Sequence, residues 1–193
     1  MTPEELRAKL IRNFNDGTFE TSDRTPLYDG VQSARLVRGT AAKRLGVSID
    51  IVPPGKRACP YHFHYVEEEM FIVLEGSGTL RVASEMLPIR EGDIMFIPPG
   101  PDYPHQILNT SDKVLKYLSF SINAEMEICE YPDSNKYLAF SRAAGPLLGG
   151  GKMHRAKDDL NYWDGEAQGP PTAALIGRDH RLRCTKPATC KTQ

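Results

Sequence analysis

The chain is short of the features that would send it to several large functional classes. Neither sign of charge prevails: 24 lysines and arginines stand against 25 aspartates and glutamates, a formal net charge of −1 over 193 residues. Without a basic excess there is no electrostatic footprint of a nucleic-acid binder, and no nucleic-acid partner is expected. No apolar run approaches the roughly 20 residues of a membrane span, so no membrane partner is expected either. The opening residues, Met1 to Phe14, carry charges throughout and lack the apolar core of a secretory signal, which makes the cytoplasm the expected location. Cysteine is scarce, with Cys59, Cys129, Cys184 and Cys190 only. In a cytosolic chain of this length they read as free thiols rather than a disulfide framework. A Cys184–Cys190 pair, or zinc held there with His180, is the alternative, but the spacing matches no zinc ribbon. Hydrophobic residues at 40% and charged residues at 25% describe an ordinary globular protein, long enough to bury a core without staples.

What is present is punctuated. Thr2-Pro3-Glu4-Glu5 is a helix start, with a capping threonine, proline in the first turn and acids near the positive end of the dipole. Leu6, Leu10 and Ile11 follow at helical spacing and predict a short helix to about Phe14. From about Ser33 to Phe140 the texture changes to short apolar runs separated by Gly, Pro, Asp and Asn. The runs are Gly46–Val52, Met70–Leu74, Thr79–Val82, Asp93–Ile97, His105–Leu108 and Leu115–Ile122. Many short strands with no helical pattern between them predict an all-β sandwich or barrel and exclude a βαβ fold. After about Ser141 the strand signal fades into Gly145-Pro146 and Gly149-Gly150-Gly151. The expected organisation is an N-terminal helix and arm over residues 1–30, one barrel over 31–141 and an irregular extension over 142–193. There is no internal repeat that would call for a second barrel.

Three of the five histidines fall in two short segments. On a strand, residues i and i+2 face the same side, so His62 and His64 aim two imidazoles into one cavity and Phe63 faces away. Glu69 lies five residues beyond His64 and would face the wrong side of a straight strand; the polar Glu67-Glu68 suits a bend that restores it. A tighter bend would present Glu68 instead. In the second segment a strand enters Pro98-Pro99-Gly100 and His105 follows the turn. If the two hairpins pair, three imidazoles and one carboxylate converge, a donor set suited to Fe, Mn, Ni, Cu or Zn rather than to Mg or Ca. Tyr61, Tyr65, Tyr103 and Tyr117 are candidates to line a pocket but fit a core or interface better. Arg57 and Arg81 are candidates for a substrate anion but fit a solvated surface better. Cys59 fits a small buried apolar position, and His154 and His180 fall outside the barrel.

Together the two segments resemble the two signature motifs of the cupin superfamily. His62-x-His64-x4-Glu69-x6-Gly76 follows the first, and Gly92-x5-Pro98-x-Gly100 with His105-x3-Asn109 follows the second. The chain departs from the pattern in two turns, with six residues rather than five between Gly55 and His62 and four rather than two between Gly100 and His105. It also resembles small bacterial single-domain cupins of unassigned activity, through Tyr131-Pro132-Asp133 and Asn161-Tyr162-Trp163-Asp164-Gly165-Glu166. The resemblance implies a double-stranded β-helix, a jelly-roll-like barrel, with one divalent transition metal in its mouth on His62, His64, Glu69 and His105. It further implies a homodimer. The function expected is a metal-dependent enzyme on a small polar metabolite, with dioxygenase-like chemistry first and isomerase, lyase or decarboxylase chemistry close behind. The alternative is a non-catalytic binding or sensing module that uses the metal as a clamp. The resemblance supplies no catalytic acid or base and no organic cofactor.

Overall fold

The capping box anticipated at the N-terminus forms: Thr2 Oγ1 accepts from the Glu5 N–H while Glu5 Oε2 accepts from the Thr2 N–H. In the computed structural model, which describes residues 1–141, 143, 151–155, 159–162 and 164–165, helix α1 spans Pro3–Leu10. It stops short of Phe14 because Ile11 is already extended and Asn13 caps a separate 3-10 turn, Phe14–Asp16, through its side chain. The chain divides into two compact units, Met1–Asp158 and Asp159–Gln193. In the second, the described residues form a turn closed by the Asp164 N–H on the Asn161 carbonyl. Trp163, Glu166, His180, Cys184 and Cys190 lie outside the described residues.

The first unit is built from strands β1 (Glu20–Thr21), β2 (Gln32–Arg35), β3 (Leu45–Val52), β4 (Phe63–His64), β5 (Glu69–Glu75), β6 (Ser77–Val82), β7 (Glu85–Arg90), β8 (Ile94–Ile97), β9 (His105–Leu108), β10 (Leu115–Ile122), β11 (Met126–Tyr131), β12 (Lys136–Ser141) and β13 (Lys152–Arg155). They form a six-stranded sheet in the order β1-β2-β3-β10-β5-β8, a four-stranded sheet β13-β12-β11-β4 and a three-stranded sheet β7-β6-β9. Every pairing is antiparallel. This is the all-β barrel anticipated from the strand punctuation. The six runs named from the sequence lie in strands, except that β8 begins at Ile94, one residue after Asp93. The missed ones are polar or short, such as β7, whose side chains are exposed except for Ile89, and β13, exposed at every position. β13 pairs with β12 inside the stretch for which an irregular extension was expected.

Period-2 alternation sorts the large sheet cleanly. Val52, Phe71, Val73, Met95, Ile97 and Tyr117 turn inward and form the core with Leu115. Gly76 joins β5 to β6 at φ +82, and a Cβ there would collide with the Val114 carbonyl, so this turn excludes every other residue. Asn109 is buried, donates to the Val52 and Lys113 carbonyls and accepts from Ser111; the asparagine of the second motif is a turn lock. Among the described residues no helix is long and apolar enough to cross a membrane.

Candidate metal centre

His62 and His105 face each other across an isolated antiparallel bridge: the His62 N–H donates to the His105 carbonyl at 3.1 Å and the His105 N–H returns the bond at 2.7 Å. The Gly100 N–H donates to the His64 carbonyl at 2.7 Å, so the Pro-x-Gly turn fastens the second segment to the first. β4 pairs with β11, and β5 pairs with β8 and β10. These links bring His62, His64, Glu69 and His105 to one place. The Nε2 atoms of His105, His64 and His62 lie 2.9, 3.6 and 4.0 Å from Glu69 Oε2. Among the groups whose donor atoms all lie within 4.8 Å of one another is His62, Glu69 and His105; His64 joins through its contact with Glu69.

The donor atoms are poised for a cation. His62 Nδ1 lies 2.8 Å from the Pro60 carbonyl and His105 Nδ1 lies 3.3 Å from the Tyr103 carbonyl. A carbonyl only accepts, so each Nδ1 carries the proton and each Nε2 presents a lone pair. His105 Nε2 and Glu69 Oε2 are therefore two acceptors face to face, and both are buried without a hydrogen bond of acceptable geometry. Metal–donor bonds of about 2.0–2.2 Å place neighbouring donors roughly 3 Å apart and opposite donors roughly 4 Å apart. The observed spacings fit that range, so the residues suit the ion that the fold implies.

Burial by itself would raise the Glu69 carboxyl, but a proton donated by His105, and the charges of His64 and His62 once those rings are protonated, outweigh burial and hold it at about 2. Burial, then the neighbouring His105, lowers His62 to about 4. A folded value below the ordinary 6.5 means that the unfolded chain binds more protons between pH 6.5 and pH 4, so stability falls as pH falls through that window. Glu69 adds a second loss below its ordinary 4.5. Urea unfolding of chelator-treated protein is expected to show stability dropping from pH 7 to pH 4, on the order of 3 kcal/mol from His62. The slope flattens in His62→Gln; a flat wild-type profile would contradict the burial of a neutral imidazole.

The bend between His64 and Glu69 has a cause that the sequence did not reveal. Glu127, buried on β11, places its carboxylate inside the turn and accepts from the N–H groups of Tyr65, Val66 and Glu67, at 2.9, 3.2 and 2.6 Å for the shortest contact of each. The chain wraps around this carboxylate and re-enters β5 with Glu69 inward and Glu68 exposed. Glu127 also approaches His64 Nδ1 at 3.9 Å. Its lone pairs are engaged by amides, so the nearby set His64, Glu67 and Glu127 is a turn anchor in place of a second metal site. Cys129, which neighbours His62 and His64, is a neutral thiol: burial pushes it up to about 12.

A cavity of about 430 Å³ opens over the cluster. His62, His64 and Glu69 line it together with Cys59, Glu67, Ser119, Tyr131 and Arg35. The tyrosines singled out from sequence do not: Tyr117 is core, Tyr61 is buried beneath the Arg81 guanidinium, and Tyr65 and Tyr103 are exposed. Arg81 makes a bidentate pair with Asp133, and Arg57 faces Gln106, so neither serves the cavity. His154 stacks on Tyr137 away from the cluster. Arg35 stands outside both motifs, which is why motif reading passes over it, and Tyr131 belongs to the Tyr131-Pro132-Asp133 segment, which carried no role in the sequence.

A family model described as a cupin domain matches residues 48–121. An uncharacterized protein of Methanocaldococcus jannaschii is 35% identical over 82 residues, 42% of this chain, and the match spans only 56% of that protein. Among solved structures, a putative sugar phosphate isomerase from Acidithiobacillus ferrooxidans superposes with a TM-score of 0.63 at 23% identity, covering 83% of this chain and 94% of that one. A sugar phosphate isomerase of the cupin superfamily from Silicibacter pomeroyi gives 0.65 at 20% identity, over 79% and 96%. A predicted oxalate decarboxylase from Thermotoga maritima gives 0.51 at 25% identity, over 60% and 100%. Residues 48–121 thus match a cupin domain, and the barrel that contains them has the fold of these structural neighbours.

Proposed function

We propose that the protein is a metal-dependent enzyme acting on a small polar metabolite, in which His62, His64, Glu69 and His105 hold one divalent transition metal of the Fe, Mn, Ni, Cu or Zn class. The observation that supports this is the meeting of buried lone pairs, Glu69 Oε2 against His105 Nε2, that no proton donor among the described residues satisfies. Such an ion, when bound, supplies Lewis-acid polarisation of a substrate oxygen or, if redox-active, a centre for dioxygen chemistry.

Between these two chemistries the cavity favours proton transfer, of the isomerase, lyase or decarboxylase kind, over the dioxygenase chemistry expected first. Glu67 carries that preference. Its carboxyl lines the cavity beside the metal ligands, burial raises its affinity for a proton, and Oε1 is steadied by the Ala124 N–H at 3.0 Å. A carboxyl so placed can take a proton from a substrate carbon and return it. Cys129 and Tyr131 stay protonated on the same wall, both pushed up by burial, and can donate to a substrate oxygen.

Elemental analysis of untagged protein should find near-stoichiometric metal in the wild type and its loss in His64→Ala. With metal present, solvent deuterium entering a hydroxy-carbonyl compound without oxygen uptake supports the proton-transfer reading. Oxygen consumption would return the dioxygenase reading to first place. Metal without turnover of either kind would leave the binding module. We also propose a homodimer, assembled in the cytoplasm through the outer face of the six-stranded sheet.

A further inference from the structure

The inner face of the large sheet is hollowed next to Glu69 in a way that neither motif requires. Register places Glu69 opposite Ser121 and Ser121 opposite Gly46. In the next inward row Ser119 stands opposite Ser48, and Ser48 opposite Arg35. Inward positions of this sheet elsewhere carry Phe71, Val73, Met95 or Tyr117, and Asp50, whose carboxyl is buried outside the cavity lining and accepts from Ser33 and Ser119; Gly46, Ser48, Ser119 and Ser121 make a small-residue floor where the core would otherwise continue. The floor leaves the space and keeps it polar. A Cβ at Gly46 would collide with Ser121 Oγ and press on Asn123 Oδ1, so the side chains of Ser121 and Asn123 converge on the hollow.

Charge gives the hollow a direction. On the β4–β5 side stand Glu67, Glu69 and Glu127. At the other side stands Arg35, the sole lysine or arginine among the described residues of the lining. No ion pair among the described residues involves Arg35, although the neighbouring Arg38 pairs with Glu20. Ser119 Oγ donates to Asp50, whereas the side chains of Ser48, Ser121 and Asn123 make no hydrogen bond among the described residues. Three strand spacings, about 14 Å between backbones, separate Glu69 from Arg35. The long arginine side chain and the glutamate take up much of that span and leave room for a short hydroxylated chain between the metal cluster and the guanidinium.

We propose that Arg35, with Ser48, Ser121 and Asn123, forms an anion subsite that binds the terminal phosphate of a small phosphorylated polyhydroxy compound, whose other end faces His62, His64 and Glu69. Phosphate fits better than carboxylate because the serine hydroxyls rise from two strands and the Asn123 amide, rotated to present its NH2 in place of the oxygen that now faces the hollow, stands on the following loop, which suits a tetrahedral group, while the arginine fork takes two of its oxygens. The acids at the far rim repel the anion from the metal end and set the orientation. This deepens the proposed function, since it rests on the cavity being the substrate site.

The test is calorimetric titration of the full chain, as purified with its metal and again after chelation, using D-ribose 5-phosphate, D-ribonate and D-ribose. The wild type should bind the phosphate ester at least roughly ten-fold more tightly than ribose. Arg35→Gln should lose roughly ten- to hundred-fold for the ester, leave ribose unchanged and keep full metal content. Ser121→Ala should weaken the ester by a smaller factor, and the Arg35 dependence should survive chelation, because the subsite stands apart from the metal ligands. Equal affinity of Arg35→Gln and wild type for the ester would overturn the subsite, as would an ester no tighter than ribose or a preference for ribonate. Those results would leave the metal reading intact. Loss of that reading shows separately, as protein that takes up no metal whether or not the ester binds.

Discussion

Replacing Glu127 with alanine is expected to unfasten the metal centre from a distance, cutting metal affinity at least roughly ten-fold and lowering stability by about 3 kcal/mol. Three consecutive N–H groups lose one charged acceptor, and charge-assisted bonds of this kind are worth about 1.5–3 kcal/mol each before water partly replaces them. The exposure of Tyr65 and Val66 lets water do so, which keeps the total below the sum. Without the carboxylate the 65–67 turn has nothing to wrap, and the offset between His64 and Glu69 is no longer held. Glu127→Gln sharpens the test because it keeps size and shape. One of the two oxygens becomes an NH2 group, and placed at Oε2 it meets the Glu67 N–H, now 2.6 Å away, donor against donor. Urea unfolding and metal titration measure the two effects separately. A Glu127→Gln protein with wild-type stability and wild-type metal affinity would show that the turn is held by something else.

Phe96→Asp is expected to convert a dimer into monomers, weakening association at least roughly hundred-fold, about 3 kcal/mol. The outer face of the six-stranded sheet supplies the reason. Ile94 and Phe96 on β8 stand opposite Ile72 and Met70 on β5, which stand opposite Leu118 and Phe120 on β10. Leu45 on β3 extends this apolar grid beside Ile122. Phe96 is 69% exposed and Ile94 51%, a degree of exposure that a single apolar side chain tolerates but a contiguous grid does not. The N-terminal arm reaches the β3–β10 part of this face, where Leu10 and Phe14 share a hollow with Leu45 and Leu118 and Asn15 Oδ1 accepts from Lys116, and the exposed β8 side chains lie outside that hollow. A carboxylate in the middle of a face buried between two copies would have no partner. Sedimentation velocity of wild type and variant decides the matter: a wild type that sediments as a monomer at micromolar concentration would end the proposal. Unchanged thermal stability of the Phe96→Asp monomer would show that the fold itself is intact.

How far the sequence reached depended on whether the signal was local. Short apolar runs exposed strands β3, β5 and β10 and, with Gly and Pro between them, the barrel. The i, i+2 pair His62 and His64 needs only the pleat of a strand to share a cavity, and Gly76 and Asn109 show themselves through local turns, a positive φ and the Ser111 and Lys113 bonds, although distant backbone at Val114 and Val52 tightens both. Those features are set by backbone geometry near each residue, so the residue types declare them. The helix end was misplaced for the same reason in reverse: Ile11 continues the apolar spacing, but Asn13 captures the chain in its own cap.

What tertiary structure alone decided is where distant strands bring their side chains. Glu127 stands 60 residues from the Glu67 N–H that it anchors, and nothing in its own neighbourhood distinguishes it from Glu125 or Glu130. Arg35 gains its place beside Ser48 and across the cavity from Glu69 only through the β2-β3-β10-β5 order of the sheet. The local sequence sets which face a side chain takes, because the pleat fixes that within two residues. The register between strands sets which side chains meet, and register comes from packing summed over the whole sheet. The metal-ligand candidates were therefore legible in the sequence, while the anchor that bends them into place and the arginine facing them were not.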